Sequence, residues 1–302
     1  MPLGLSWHDY NESLVERGSI LFDLGFGDSW NEELKSMNKH KVGRPYDFPN
    51  SYIEFLSFLK VGFDIPYRMV EGAVEALSEY ISFIRGICFT QIRRRMIRLL
   101  KGKRPSQIIQ GENDKNKEPI TVVVDSTGLT TTNRGSYIEN EWKRERRKFL
   151  KLHIMADKKT KKIVGFRVTS YRTHDSKKFA PMVKEVSRKK QVSKVFGDTA
   201  YDSKKIFNLL DYLRIEPAIK VKKNSRAQSR GSFLRKKEIM LVQNLGYNGW
   251  KKLKDYGKRW IAEIVYASFK RVLGETLRAR SFLTQKAEAT FKVMLYNKFL
   301  PP

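Results

Sequence analysis

After Pro119 the spacing of apolar residues changes, and this constrains the fold more than any other feature of the chain. Upstream, apolar side chains recur at helical intervals. From Ile120 the chain runs ITVVVDST, β-branched at every position until Asp125, Ser126 and Thr127. A short β-branched run of this kind is a strand buried on both faces, which needs neighbouring strands and helical cover. KFLKLHIMAD (148–157) and KIVGFRVTSY (162–171) follow, joined by Lys158-Lys-Thr-Lys161 as a hairpin. DSKKFAPMVKEVSRK (175–189) reads as a helix, KVFGDTAYDS (194–203) as a strand ending at Asp198, SKKIFNLLDYLR (203–214) as a helix and EPAIKVK (216–222) as a strand. Residues 223–250, rich in Lys, Arg, Ser, Asn and Gly, read as a loop or small basic insertion. The order predicted is β, β, β, α, β, α, β, insert, α, closed by an amphipathic helix over 284–299.

The upstream half reads as all helical. Short pieces occupy 6–40, with Asn11 or Ser13 as cap of the first and Ser29 of the second. KVGRPYDFP (41–49) is a turn or linker. SYIEFLSFLKVGF, the break at Asp64-Ile-Pro66, Tyr67–Ile84 and Thr90–Leu100 give three helices with tight turns. The last carries Arg93, Arg94, Arg95 and Arg98, which suits a helix-turn-helix-like DNA binder. A basic helix end that only complements the macrodipole is the alternative. The polar run 101–118 is the natural boundary. The predicted domains are therefore 1–105, a linker at 106–118, and 119–302.

Charge sharpens this division. The 302-residue chain has a formal net charge of +28. Residues 1–118 hold 17 Lys/Arg against 16 Asp/Glu, and residues 119–302 hold 43 against 16. Such an excess calls for a polyanionic partner, nucleic acid before an anionic membrane, met chiefly by the second half. In the loop after the first strand, Lys143, Arg144, Arg146 and Arg147 are candidate DNA contacts. Cys88 is the single cysteine, which excludes an internal disulfide and argues against a cysteine zinc site. No apolar run is long enough to span a bilayer and no signal peptide is visible, so a reducing cytoplasm is the expected compartment.

Two strands end in carboxylates, Asp125 and Asp198, and the late segment YGKRWIAEIVYASFK (256–270) displays a third, Glu263. On one α-helix, Tyr256, Arg259, Glu263 and Lys270 fall within an arc of roughly 60°. Taken singly, each aspartate can be a helix cap or turn residue, and the stripe a solvated helix face. Taken together, three acids without a histidine or cysteine cluster suit a hard cation, Mg²⁺ or Mn²⁺. On so basic a segment, two such ions imply phosphate chemistry on nucleic acid. His153, Asp157, His174, Asp175 and Asp202 read as structural, turn or cap residues, and Trp250 as a core residue rather than a platform for a displaced base.

Three motifs resemble the DDE transposases of prokaryotic insertion sequences, in the IS-four/IS-five superfamily. VVVDSTG (122–128) is similar to the first-Asp motif and FGDTAYDS (196–203) to the second. Tyr256-x2-Arg259-x3-Glu263-x6-Lys270 matches the Y-R-E-K signature at every spacing, and KLHIMAD (151–157) and PYRMVEG (66–72) resemble further family segments. The resemblance implies an α/β, RNase H-like catalytic domain, a mixed five-stranded sheet flanked by helices, behind an all-helical N-terminal domain. It implies that Asp125, Asp198 and Glu263 bind two Mg²⁺ or Mn²⁺ ions, and that Tyr256, Arg259 and Lys270 grip the DNA backbone. It further implies cleavage of double-stranded DNA at terminal inverted repeats, 3′-hydroxyl strand transfer, and a homodimer on DNA. A nuclease without strand transfer, and a non-catalytic DNA-binding derivative, remain open alternatives.

Overall fold

The computed structural model describes residues 6–109, 118–131, 149–227 and 231–300. The chain divides into two compact units, Met1–Lys103 with Leu277–Pro302, and Arg104–Thr276.

The second unit is built on one mixed sheet. Its strands are β1 (Ile120–Thr130), β2 (Phe149–Asp157), β3 (Ile163–Ser170), β4 (Val192–Gly197) and β5 (Glu216–Ile219), in the order β3-β2-β1-β4-β5. β1, β2 and β3 are antiparallel neighbours, whereas β4 and β5 run parallel to β1. This order and these directions are those of an RNase H-like sheet, as expected. Val122, Val123 and Val124 are fully buried, so the β-branched run occupies the middle of the sheet. The β2–β3 hairpin closes on Asp157, whose carboxylate accepts from the Lys159 and Thr160 amides and the Thr160 hydroxyl.

A short helix, α6 (Pro105–Ile109), precedes β1, and longer helices make the parallel crossovers. α7 (Ser176–Ser187) lies between β3 and β4, and α8 (Lys204–Tyr212) between β4 and β5. They cover one face through Phe179, Val183, Val186, Ile206, Phe207 and Leu210, against Val122, Val124, Met155 and Val195. A Cβ on Gly165 would come within 2.8 Å of Val186 Cγ2, so glycine there lets α7 sit close to β3. α10 (Ile261–Leu273) packs against β1, with Ala262, Val265, Tyr266 and Phe269 buried.

Residues 223–250 depart from the loop reading. α9 runs from Phe233 to Leu253, interrupted at Gly246, whose φ of 66° and ψ of 169° split it into two helical pieces. Tertiary pins hold it. Arg235 forks onto the buried Asp202, with Nε to Oδ1 at 2.6 Å and Nη2 to Oδ2 at 2.9 Å. Trp250, fully buried, donates its indole N–H to Glu238 at 2.9 Å. Asp202 thus anchors α9 and does not cap α8, a task done by the Ser203 hydroxyl.

The first unit contains α1 (Trp7–Leu21), α2 (Trp30–Asn38), α3 (Asn50–Gly62), α4 (Tyr67–Ser78) and α5 (Phe89–Leu100). It also contains α11 (Phe282–Lys298), so residues 277–302 do not belong with the sheet as the 119–302 boundary had it. The reason is packing and charge. Phe291 meets Phe58 edge-on at 5.9 Å, and Glu288 pairs with Lys60 at 3.2 Å where both side chains are essentially unexposed. The cap of α1 is Ser6, in a reciprocal capping box with Asp9, rather than Asn11 or Ser13. Ser29 stands at the N-cap of α2 without a side-chain bond.

α5 sorts its arginines. Arg93, Arg94 and Arg98 are exposed, and Arg98 donates to the Tyr46 hydroxyl at 3.0 Å. Arg95 is buried, with Nη2 donating to the Phe48 carbonyl and Asn50 Oδ1, each at 3.0 Å. It ties α5 to the start of α3 and is withdrawn from any DNA-contact role, because amphipathic spacing turns that position inward.

Candidate active site

Parallel pairing of β1 with β4 sets Val123 opposite Phe196, and two residues further each strand delivers an aspartate. Asp125 and Asp198 therefore stand side by side: Asp198 just past the carboxyl end of β4, the usual place for a site in an α/β sheet, and Asp125 midway along β1, which does not end there as expected but runs on to Thr130 paired with β2. The backbone holding them is pinned by tyrosines. Tyr266 of α10 donates its hydroxyl to the Asp125 carbonyl at 2.7 Å, and Tyr256 donates to the Gly197 carbonyl at 3.1 Å. Asp125 Oδ1 accepts from the Ser126 amide at 2.8 Å, and Asp198 Oδ1 from the Ala200 amide at 2.9 Å. Burial raises the Asp125 carboxyl above its ordinary pKa. Asp198 and Asp175 add to the rise, while the Ser126 amide and Arg259 oppose it.

The Y-R-E-K stretch is not one α-helix. Asp255 takes a left-handed φ of 54°, a 3₁₀ turn covers Tyr256–Trp260, and α10 begins only at Ile261. The tighter winding moves Tyr256 off the face it would share with Glu263. Tyr256 is buried against Trp250, with its hydroxyl committed to Gly197, so it braces β4 and does not grip DNA. Arg259 lies between two acids. Its Nη1 is 3.7 Å from Asp125 Oδ2, and its Nη2 donates to Glu263 Oε1 at 2.9 Å. Glu263, in the first turn of α10, is 64% exposed. Lys270, at the other end of α10, pairs with Glu275 at 3.2 Å.

One guanidinium thus joins the predicted first and third acids. Among the described residues no three His, Cys, Asp or Glu side chains are grouped closely enough to hold one metal ion. The donors still suit a hard cation: all are carboxylate oxygens, and the Asp125–Asp198 pair is short of positive charge. Arg259 supplies that charge to Asp125 and Glu263.

A buried network beside Asp125 escaped sequence reasoning. Strand register places His153 opposite Ser126. The Ser126 hydroxyl donates to Asp175 Oδ1 at 2.8 Å, which also receives Lys151 Nζ at 3.1 Å and lies 3.4 Å from His153 Nδ1. Burial acts to raise Asp175, but these donors outweigh it and hold the carboxyl below its usual pKa. Burial pushes His153 down to about 4, and its Nε2 sits 2.9 Å from Thr169 Oγ1. Asp175 starts α7, as a cap reading predicts, yet makes no side-chain capping bond. The missed signal was the THDS run following the hairpin. Lys143, Arg144, Arg146 and Arg147 lie outside the described residues.

Residues 116–298 match the family described as Transposase DDE domain, and a second family of the same description matches residues 15–134. The chain belongs to the transposase DDE-domain family. Asp125, Asp198 and Glu263 fall inside the longer match, which covers more than half of the protein. Among solved structures, this DDE transposase is similar to the Drosophila P element transposase strand transfer complex, at 12% identity over 91% of this chain and 70% of that one, with a TM-score of 0.37. A pre-cleavage Mos1 transpososome is similar at 11% identity, over 86% and 77%, with a TM-score of 0.30. Among the described residues of the transposase, no helix is long and apolar enough to cross a membrane.

Proposed function

We propose that this transposase cuts double-stranded DNA at the terminal inverted repeats of its own element and joins the freed 3′-hydroxyls to target DNA. The observation that carries the reading is the juxtaposition of Asp125 and Asp198 on the adjacent strands β1 and β4, with Arg259 joining Asp125 to Glu263. Asp125, Asp198 and Glu263 are the residues that would hold Mg²⁺ or Mn²⁺, two ions in all. When bound, such ions activate a water or 3′-hydroxyl and stabilise the leaving oxygen of an in-line displacement.

The rest falls to the chain's own groups. Tyr256 and Tyr266 hold β4 and β1 through backbone carbonyls, so the two aspartates are presented on rigid backbone. Arg259 has a planar fork that suits a phosphate as well as the two carboxylates it now touches, and its transfer to DNA frees Glu263. Lys270 adds a point charge. The exposed Arg93, Arg94 and Arg98, with Lys143, Arg144, Arg146 and Arg147, extend the phosphate contacts, and two copies of the chain act together because two ends must be processed.

The test is a strand-transfer assay with pre-cleaved element ends and a second duplex. A transposase joins the 3′-hydroxyl to that duplex in the presence of Mg²⁺ or Mn²⁺, whereas a nuclease only releases product. Asp198→Ala is expected to abolish joining and keep DNA binding. Joining by Asp198→Ala at the wild-type rate, or in excess chelator, sinks the assignment.

A further inference from the structure

Three tyrosines surround the acid pair, and they differ in one respect. Tyr256 and Tyr266 each give their hydroxyl to a backbone carbonyl, of Gly197 and Asp125 respectively. Tyr201 is 1% exposed, and its hydroxyl has no hydrogen-bond partner among the described residues. Its ring is fixed. It packs on Phe179 of α7 at 5.3 Å between centroids, and against Gly197, where an added Cβ would stand 3.1 Å from Tyr201 Cδ2. The glycine at the end of β4 therefore makes room for this ring three residues after Asp198. A buried hydroxyl left without a partner costs on the order of 1–3 kcal/mol, so its orientation calls for a reason.

The reason lies in what surrounds it. Burial, followed by the fields of Asp125, Asp175 and Asp198, holds the phenol well above its ordinary pKa, so it is a neutral donor at any working pH. Each aspartate of the pair has one oxygen on a backbone amide, Asp125 on Ser126 and Asp198 on Ala200. Among the described residues the second oxygens have no such amide, and that of Asp125 lies 3.7 Å from Arg259 Nη1. Asp175 already takes the Ser126 hydroxyl and the Lys151 ammonium on its Oδ1.

We propose that Tyr201 is a positioning residue for the acid pair, the donor that fixes a carboxylate oxygen of Asp125 or Asp198 when those acids take a divalent, oxygen-seeking cation. The inference rests on the metal-binding reading of Asp125 and Asp198. A partner behind a ligating carboxylate orients it and tunes its affinity, and losing such a partner costs about 10–100-fold in metal affinity or activity.

The experiment compares full-length wild type, Tyr201→Phe, Tyr256→Phe and Asp125→Asn. Each is titrated with Mn²⁺ alone, read as the rise in thermal unfolding midpoint, and again with plasmid DNA, read as the Mn²⁺ concentration that half-saturates cleavage. Tyr201→Phe keeps the ring and removes one oxygen. It is expected to unfold at or above the wild-type temperature without metal, and to need about 10–100-fold more Mn²⁺ in both titrations. Tyr256→Phe, which loses the bond to the Gly197 carbonyl, sets the stability loss expected where a tyrosine hydroxyl has a protein partner. A Tyr201→Phe chain that titrates like wild type, or that loses stability as Tyr256→Phe does, overturns the inference, the latter because the hydroxyl then has a protein partner. If Asp125→Asn also titrates like wild type, or if wild type does not respond to Mn²⁺, the metal-binding reading itself has failed.

Discussion

Two groups of buried charge, one in each unit, are built on opposite terms. Beneath α3 and α11, Lys60 faces Glu288, whose oxygens also accept from the Arg278 and Ala279 amides at 3.0 Å each. Lys292 lies fully buried in the same field; burial lowers its pKa and Glu288 partly restores it. Beside the end of β4, Asp125 meets Asp198 and Asp175, opposed among the described residues by the Ser126 amide and Arg259. The first group is matched within the fold and holds two distant stretches of chain together. The second has more negative than positive charge among the described residues, and on the reading proposed above a bound cation supplies the difference. The difference separates charge that serves the fold from charge that serves a ligand.

The largest expected effect tests the second group. Asp125→Asn should bring cleavage down to background in a plasmid assay, and it should also unfold at a higher temperature than wild type at pH 7. The sign follows from the raised carboxyl. The folded chain holds this proton more tightly than the unfolded chain, so the cost of ionised Asp125 is fully present above its folded pKa and fades as pH falls through it. The thermal advantage of Asp125→Asn should shrink in acid. An active but destabilised Asp125→Asn would break the contrast, since active-site acids are kept at the expense of stability.

The matched group should fail differently. Glu288→Ala leaves Lys60 buried and alone, and a loss of about 3–5 kcal/mol is expected in urea unfolding. Lys60→Met should cost less, because Glu288 keeps its two amide donors. Equal costs would mean that the pair is not matched in the sense argued.

A smaller effect belongs to His153. Its folded pKa of about 4 lies below the unfolded value of 6.5, so the unfolded chain takes the proton first. Stability should fall as pH drops from 6.5 toward 4, with Asp175 limiting the loss and Lys151 and Lys178 deepening it. His153→Gln should flatten that limb in denaturation midpoints measured across the range. Smallest of all, Tyr256→Phe should cost about 1 kcal/mol for one hydrogen bond to Gly197. A loss several times larger would make the 3₁₀ turn part of the core rather than a brace.

Much of the sheet was legible before any coordinates. β1 could be placed because β-branched residues filled both of its faces, and the hairpin because two apolar runs flanked a short lysine turn. Asp198 at the end of β4 followed from those placements, whereas β1 does not end at Asp125 but runs on to Thr130. α9 was not legible. Gly246 and Gly249, with a polar lead-in, hide the helix in composition, and it is held by Arg235 on Asp202 and Trp250 on Glu238, pairings distant in sequence. Tyr256 was misplaced for a local reason, since regular helical spacing was carried back through a left-handed Asp255 into a turn of different pitch. Arg95 shows the same limit: four arginines on one helix look alike until the fold decides which one faces inward.

The Glu288–Lys60 pair also bears on the order of events during synthesis. Domains emerging from a ribosome tend to form from the N-terminal end first. Here the first unit cannot, because its buried lysine waits for a glutamate made more than two hundred residues later. The sheet of Arg104–Thr276 is complete in the nascent chain before the helices on either side of it in sequence can close. A stalled chain ending near residue 276 should therefore protect the sheet from protease while leaving α3 open to cutting. Protection of α3 at that length would show that the partner from the far end is dispensable. A reading-frame error late in the message would then be felt first at the beginning of the protein.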